Sequence, residues 1–211
     1  MKQSLLRLCL PAALSLAFAL PAQAAVQSFT NDYAAWAAAA GAVSTVDFET
    51  LPNGAASTAG TQITSSFNYD SQQVHFSSNA NYFGINGNPQ TGFGLAGSEW
   101  FSNKQVYIRA DLIGSRHAFG LYFPGNTTLS VYDAQNNLLA SNSFSSSGSY
   151  FFMGFVSDTP IAYAVSTRGY DMEYWQSVAF SSTAAVPEAE SWAMMGAGLL
   201  LLAGLAKRNK A

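Results

Sequence analysis

The chain has 211 residues, a formal net charge of −3 at pH 7, 14% aromatic residues and only 10% charged ones. Between positions 25 and 185, four basic residues (Lys104, Arg109, Arg116, Arg168) stand against ten acidic ones, a balance of −6. That argues against a nucleic-acid partner, because phosphate contacts need a basic face, and the aromatic and β-branched content excludes a disordered chain.

The first 24 residues place Lys2 and Arg7 ahead of an apolar stretch from Leu8 to Leu20, closed by Pro21-Ala22-Gln23-Ala24. A positive start, an apolar centre and a small-x-small ending predict a secretory signal peptide cut by signal peptidase after Ala24, with Ala22 and Ala24 filling its narrow pockets. The run is shorter than the ~20 residues of a membrane span. Cys9, the only cysteine, lies inside this segment. A body beginning at residue 25 therefore has no disulfide and depends on its core.

The body, residues 25–185, opens with a helix. Thr30 or Asn31 is the expected cap, Ala34 to Ala40 propagate, and Gly41 ends it in a left-handed conformation. Phe29, Tyr33 and Trp36 follow the helical period and predict one aromatic face docked on a sheet. Short alternating runs then predict strands at Val43–Glu49, Gln62–Tyr69, Gln73–Ser77, Gln105–Leu112, Ala118–Phe123, Thr128–Asp133, Leu138–Phe144, Tyr150–Val156, Ile161–Ser166 and Gln176–Ser182. Asp133-Ala134-Gln135-Asn136-Asn137 has the composition of a hairpin turn. Ser78 to Gly97, rich in Gly and Asn, reads as an irregular loop. About ten short strands after one helix predict an all-β fold, an antiparallel, jelly-roll-like β-sandwich.

Positions 186–211 differ from the body. Val186-Pro187-Glu188-Ala189-Glu190-Ser191-Trp192 leads into an uncharged apolar stretch to Ala206, followed by Lys207, Arg208 and Lys210. Fifteen helical residues from Trp192 to Ala206 span ~22 Å of a ~30 Å hydrocarbon core. Trp192 at one interface, with Lys207 and Arg208 snorkelling at the other, completes a C-terminal transmembrane helix whose basic end is cytoplasmic.

The Val-Pro-Glu start with Ser191 and Trp192, the short Gly/Ala/Leu span and the basic end together resemble the PEP-CTERM sorting signal of Gram-negative bacteria. Ala189 stands where that pattern has a second proline. The resemblance covers about the last 25 residues and implies handling by exosortase, with delivery to the cell surface or an exopolysaccharide matrix. It implies nothing about the body.

Chemistry-bearing motifs in the body are sparse. Gly92-Phe93-Gly94-Leu95-Ala96-Gly97 matches a dinucleotide fingerprint by letter. It lacks the preceding strand and following helix that such a site needs, so its glycines read as turn residues. His75 and His117 are the only histidines, and no clustered zinc ligands or nucleophile elbow occur. Asp47 and Glu49 share a predicted strand face, a weak hint of a glycosidase pair. Glu49 with Asp171 or Glu173 makes a candidate structural calcium site of oxygen ligands. Tyr82, Trp100, Tyr174 and Trp175, set among polar and acidic neighbours, are candidate glycan contacts, since sugar rings stack on aromatic faces. The resulting expectation is a non-catalytic structural or carbohydrate-binding sandwich with extracellular polysaccharide as partner. The alternative is a secreted hydrolase acting on that polysaccharide.

Overall fold

A computed structural model of the chain describes residues 25–88, 92–99, 104–145, 150–168 and 172–181, together with Gly198. Ala22, Ala24, Trp100, Asp171 and the sorting-tail residues from Val186 to Lys210 lie outside the described residues. Among the described residues no helix is long and apolar enough to cross a membrane.

The order along the chain is β1 (Val26–Thr30), α1 (Tyr33–Ala40), β2 (Ser44–Val46), a 3-10 turn (Tyr69–Gln72), β3 (Val74–Ser78), β4 (Tyr82–Asn88), β5 (Gly92–Ser98), β6 (Val106–Leu112) and β7 (Ala118–Pro124). There follow β8 (Thr127–Tyr132), β9 (Leu138–Phe144), β10 (Tyr150–Ser157), β11 (Tyr163–Arg168), β12 (Met172–Trp175) and β13 (Ser177–Ser181). Sheet I runs β1-β10-β7-β13-β2, sheet II runs β3-β6-β11-β8-β9, and a small sheet III runs β12-β5-β4. Every ladder is antiparallel. Most neighbours are distant in sequence, because the chain passes repeatedly from one sheet to another. The all-β sandwich expected from the alternating runs is present.

Alternation builds the core. In β7, Phe119, Leu121 and Phe123 are fully buried, and in β6 Val106, Ile108, Ala110 and Leu112 point inward. Together with Met153, Phe155, Phe180, Leu129, Val131 and Phe76 most of these form one cluster between sheets I and II, to which sheet III adds Ile85, Leu95 and Trp175. This apolar layer is the main source of stability in a body without disulfides.

The outer face of sheet I is covered by α1. Trp36, fully buried, packs with Phe152, Ala118, Val156 and Ala179 in a second cluster, and its indole donates to the Phe155 carbonyl at 3.2 Å. Room for the indole comes from Gly154 and Gly120, which face each other across β10 and β7. A Cβ on Gly154 would sit 2.5 Å from Trp36 Cδ1. Tyr33 meets Phe152 edge-on at 5.2 Å, so two members of the predicted aromatic face dock as expected. Phe29 belongs to β1 instead. The cap is Asp32, whose carboxylate accepts from Ala35 N at 2.9 Å. Asn31 takes a left-handed turn (φ 56°) and donates its N–H to the Phe152 carbonyl, which leaves the cap to its neighbour.

Several sequence expectations need correction. The Ser78–Gly97 stretch is not a loop but contains the β4–β5 hairpin. Its glycines serve close packing: a Cβ on Gly94 would collide with the Tyr174 hydroxyl, and one on Gly84 with the Thr61 carbonyl. The Gly92–Gly97 motif therefore lies within strand β5 and not in a turn. Gln62–Tyr69 forms only isolated bridges before the 3-10 turn. The strand expected over Val43–Glu49 ends at Val46, because Phe48 adopts φ 61°. Asp47 and Glu49 consequently share no strand face.

Candidate functional site

The outward positions of sheet II form a continuous polar and aromatic face, the open face below. It follows from the same alternation that fills the core: where Val106, Ile108, Ala110 and Leu112 point in, Tyr107, Arg109 and Asp111 point out. Register extends these residues across the sheet. His75, Asp111, Tyr163 and Tyr132 make one row. Ser77, Arg109, Val165, Ser130 and Ser141 make the next. Tyr107, Thr167, Thr128 and Ser143 make a third. At ~4.8 Å per strand, five strands give a face ~19 Å wide, the length of several sugar rings.

The centre of this face is a layered stack. The Arg109 guanidinium lies 3.7 Å from the centroid of the Tyr163 ring. On Tyr163's neighbouring strand, Tyr132 stacks at 4.7 Å with the rings 11° from parallel. Asp111 fixes the guanidinium with Nε at 2.9 and 3.0 Å and Nη2 at 2.5 Å from its carboxylate. These hydrogen bonds raise the Arg109 pKa further above its usual value. Tyr163 donates its hydroxyl to Asn136 Oδ1 at 3.1 Å. Asn136, at φ 64°, sits in the β8–β9 turn, where Asp133 accepts from the N–H groups of Gln135 and Asn137. The Asp133–Asn137 hairpin turn thus forms as predicted and also steadies the stack. Leu138, 56% exposed, lies opposite Tyr132 and extends the apolar strip. Flanking hydroxyls pair across strands: Thr128 with Ser143 at 2.8 Å and Ser130 with Ser141 at 2.9 Å. Each pair uses one donor and one acceptor, so further capacity remains on every hydroxyl. At the far edge His75 Nδ1 lies 2.8 Å from Asp70 Oδ1.

The residues singled out from sequence fall elsewhere. Trp175 is fully buried, its indole donating to Ser166 Oγ at 2.6 Å, and Tyr174 is 7% exposed. Neither presents a ring to a ligand, because β12 turns both into the packing around sheet III. Tyr82 is half-buried and donates to the Ile85 carbonyl of its own hairpin. Glu49 accepts from Phe93 N at 3.0 Å, at the start of β5. Glu173 lies opposite Gly97, four residues further along that strand, or ~13 Å away. The two carboxylates thus meet β5 at different points, and the structure does not bring them together as one ligand set. Among the described residues no group of three or more His, Cys, Asp or Glu could hold a metal.

Glu173 is unusual in its own right. It is fully buried, and its Oε1 accepts from Ser166 Oγ at 2.7 Å and Thr127 Oγ1 at 3.0 Å, while Oε2 has no hydrogen-bond partner among the described residues. Burial pushes its carboxyl up to about 7, against the opposing pull of those hydroxyls and of Arg168. Arg168 and Thr127 border a cavity of about 230 Å³ at the Thr128–Ser143 end of the open face.

Sequence reasoning missed Tyr107, Arg109, Asp111, Tyr132 and Tyr163, although the signal was present for all but Tyr163. Tyr107, Arg109, Asp111 and Tyr132 are the residues opposite the core in its own predicted strands, a choice that alternation alone makes, whereas Tyr163 falls in step with Ile161 and Val165 and is itself buried.

No family model and no curated protein matches the chain. Among solved structures, a family 29 carbohydrate-binding module aligns at 10% identity with a TM-score of 0.41, covering 70% of this chain and 99% of that one. The lectin-binding domain of lectinolysin aligns at 12% identity with a TM-score of 0.35, covering 43% of this chain and 72% of that one. The enzymatically active domain of a bacteriophage tailspike aligns at 11% identity with a TM-score of 0.32, covering 54% and 19%. These are partial likenesses, and the functional reading rests on the open face itself.

Proposed function

We propose that the chain is an exported cell-surface or matrix protein, freed by signal peptidase and sorted by exosortase through its PEP-CTERM-like tail, whose non-catalytic sandwich binds extracellular polysaccharide. The observation that carries the binding assignment is the Arg109–Tyr163–Tyr132 stack set among outward Ser and Thr hydroxyls on one sheet face. Aromatic rings take the apolar faces of sugars, and hydroxyls with a fixed guanidinium–carboxylate pair take their hydroxyl groups. The export assignment is supported by the order of motif, apolar span and basic end at positions 186–211, and by the signal-peptide pattern before residue 25.

The test is retention of the full chain, in mild detergent, on a panel of immobilised extracellular polysaccharides. Tyr132→Ala is expected to weaken binding about 10-fold, an aromatic contact's worth, while Tyr82→Ala leaves it unchanged. Equal binding by Tyr132→Ala and the parent protein would refute the assignment to this face. Release of reducing ends from a bound polysaccharide would favour the hydrolase reading.

A further inference from the structure

We infer that the cavity bounded by β8, β9 and β11 is a subsite for a sugar residue bearing an anionic substituent, a uronate carboxylate or a sulfate ester, held by Arg168. The inference rests on the open-face reading and sharpens it, because Thr128, Ser143 and Thr167 belong both to that face and to the cavity wall.

Charge accounting singles out Arg168. Each other basic residue of the body is committed: Lys104 to Glu99 at 3.1 Å, Arg109 to Asp111, and Arg116 to the Ile113 carbonyl and Gln73. Arg168 makes no ion pair among the described residues, yet it lines a cavity of about 230 Å³ whose wall otherwise offers hydroxyls, the Asn126 amide and Phe144. A half-buried guanidinium facing hydroxyls is a poor neighbour for a neutral sugar and a good one for an anion. Bidentate recognition of a planar carboxylate or of sulfate oxygens is what a guanidinium does best. Phe144 supplies the apolar wall that a pyranose face needs.

Glu173 gives the site a pH response. Among the described residues, Thr127, Ser166, Trp175 and Arg168 face its carboxyl, and Arg168 is the only charged group whose field reaches it. While Glu173 is protonated, Arg168 acts as an uncompensated cation. Once Glu173 ionises, near pH 7, its negative charge lies behind the guanidinium and weakens the attraction for an anion.

The test is a calorimetric titration of the full chain with three oligosaccharides of one length: neutral, uronate-bearing and sulfated. Affinity is expected to be at least 10-fold higher for one of the anionic pair, and the preferred member identifies the substituent. Arg168→Gln should remove that preference, and Arg168→Lys should keep part of it. Preference should fall several-fold between pH 5.5 and 8.5, and Glu173→Gln should flatten the fall. Binding of the neutral ligand with no anionic preference, or an Arg168→Gln loss equal across all three ligands, overturns the subsite and spares the open face. Binding of none of the three overturns both.

Discussion

Sheet I and sheet II have the same strand number and share one core, but their outer faces carry opposite residues. Beneath α1, sheet I presents Ala118, Gly120, Gly154, Val156 and Ala179, small or aliphatic residues that leave a trough for the Trp36 indole, bordered by the Phe152 and Tyr122 rings. Sheet II presents Tyr107, Arg109, Asp111 and Tyr132, large polar or amphipathic side chains that reach solvent, with Tyr163 buried between Arg109 and Tyr132. The difference shows how a two-faced strand declares its neighbour. Small outward residues mark a face that another element covers, and large amphipathic ones mark a face left for water or a ligand.

The largest effect should come from uncovering sheet I. Trp36→Ala removes the only large side chain of α1 that is fully buried, and the cost should be about 3–5 kcal/mol by urea denaturation. Tyr132→Ala on sheet II should cost no more than about 2 kcal/mol, since that ring is only half-buried and stacks on Tyr163 from one side. Equal costs would mean that the open face is as much a structural layer as the covered one.

A buried carboxyl lies against the inner side of sheet II, where Ser166 donates to it. Glu173 has its pKa raised from 4.5 to about 7, chiefly by desolvation. Between those values the folded state keeps a proton that the unfolded chain has lost, so stability falls as pH rises. The contribution is intact below about pH 4.5, declines through the window and is gone above 7, a loss of roughly 3 kcal/mol. Glu173→Gln should remove this slope. An unfolding curve whose pH dependence is the same in both proteins would show that Glu173 is ionised throughout.

Much of this was legible in the sequence, for identifiable reasons. Leu138–Phe144 is found at the predicted bounds, and Val106–Leu112 lies one residue inside them, where strict alternation beside a burying partner leaves one register. The β4–β5 hairpin was not legible. Its glycines lower strand propensity, and the reason for them, close approach of Tyr174 and Thr61, exists only in three dimensions. The site was half legible. Tyr174 and Trp175 attracted attention because they neighbour Glu173 and Asp171, yet proximity in sequence says nothing about which side of β12 meets the core. The open face instead required asking what stands opposite each core residue. Stacking of Tyr132 on Tyr163 depends on β8 pairing with β11 across the thirty positions between those two residues, which no local pattern reports.

The smallest effect is the sharpest test of the comparison. Ser130 and Ser141 exchange a hydrogen bond on the open face at 2.9 Å, with both residues near solvent. Replacing both by alanine removes donor and acceptor together, so no buried group is orphaned and stability should change by less than about 0.5 kcal/mol. Polysaccharide binding should nevertheless weaken several-fold, because the two hydroxyls sit in the row that contains Arg109. A matched pair on the covered side behaves in the opposite sense. Ser181 donates to the Ala40 carbonyl at 2.6 Å and closes the last turn of α1, so Ser181→Ala leaves a buried carbonyl unmet and should cost about 1–3 kcal/mol without altering binding. If the Ser130/Ser141 double variant lost stability and kept its ligand, the two faces would have exchanged roles and the division of labour argued from their side chains would fail.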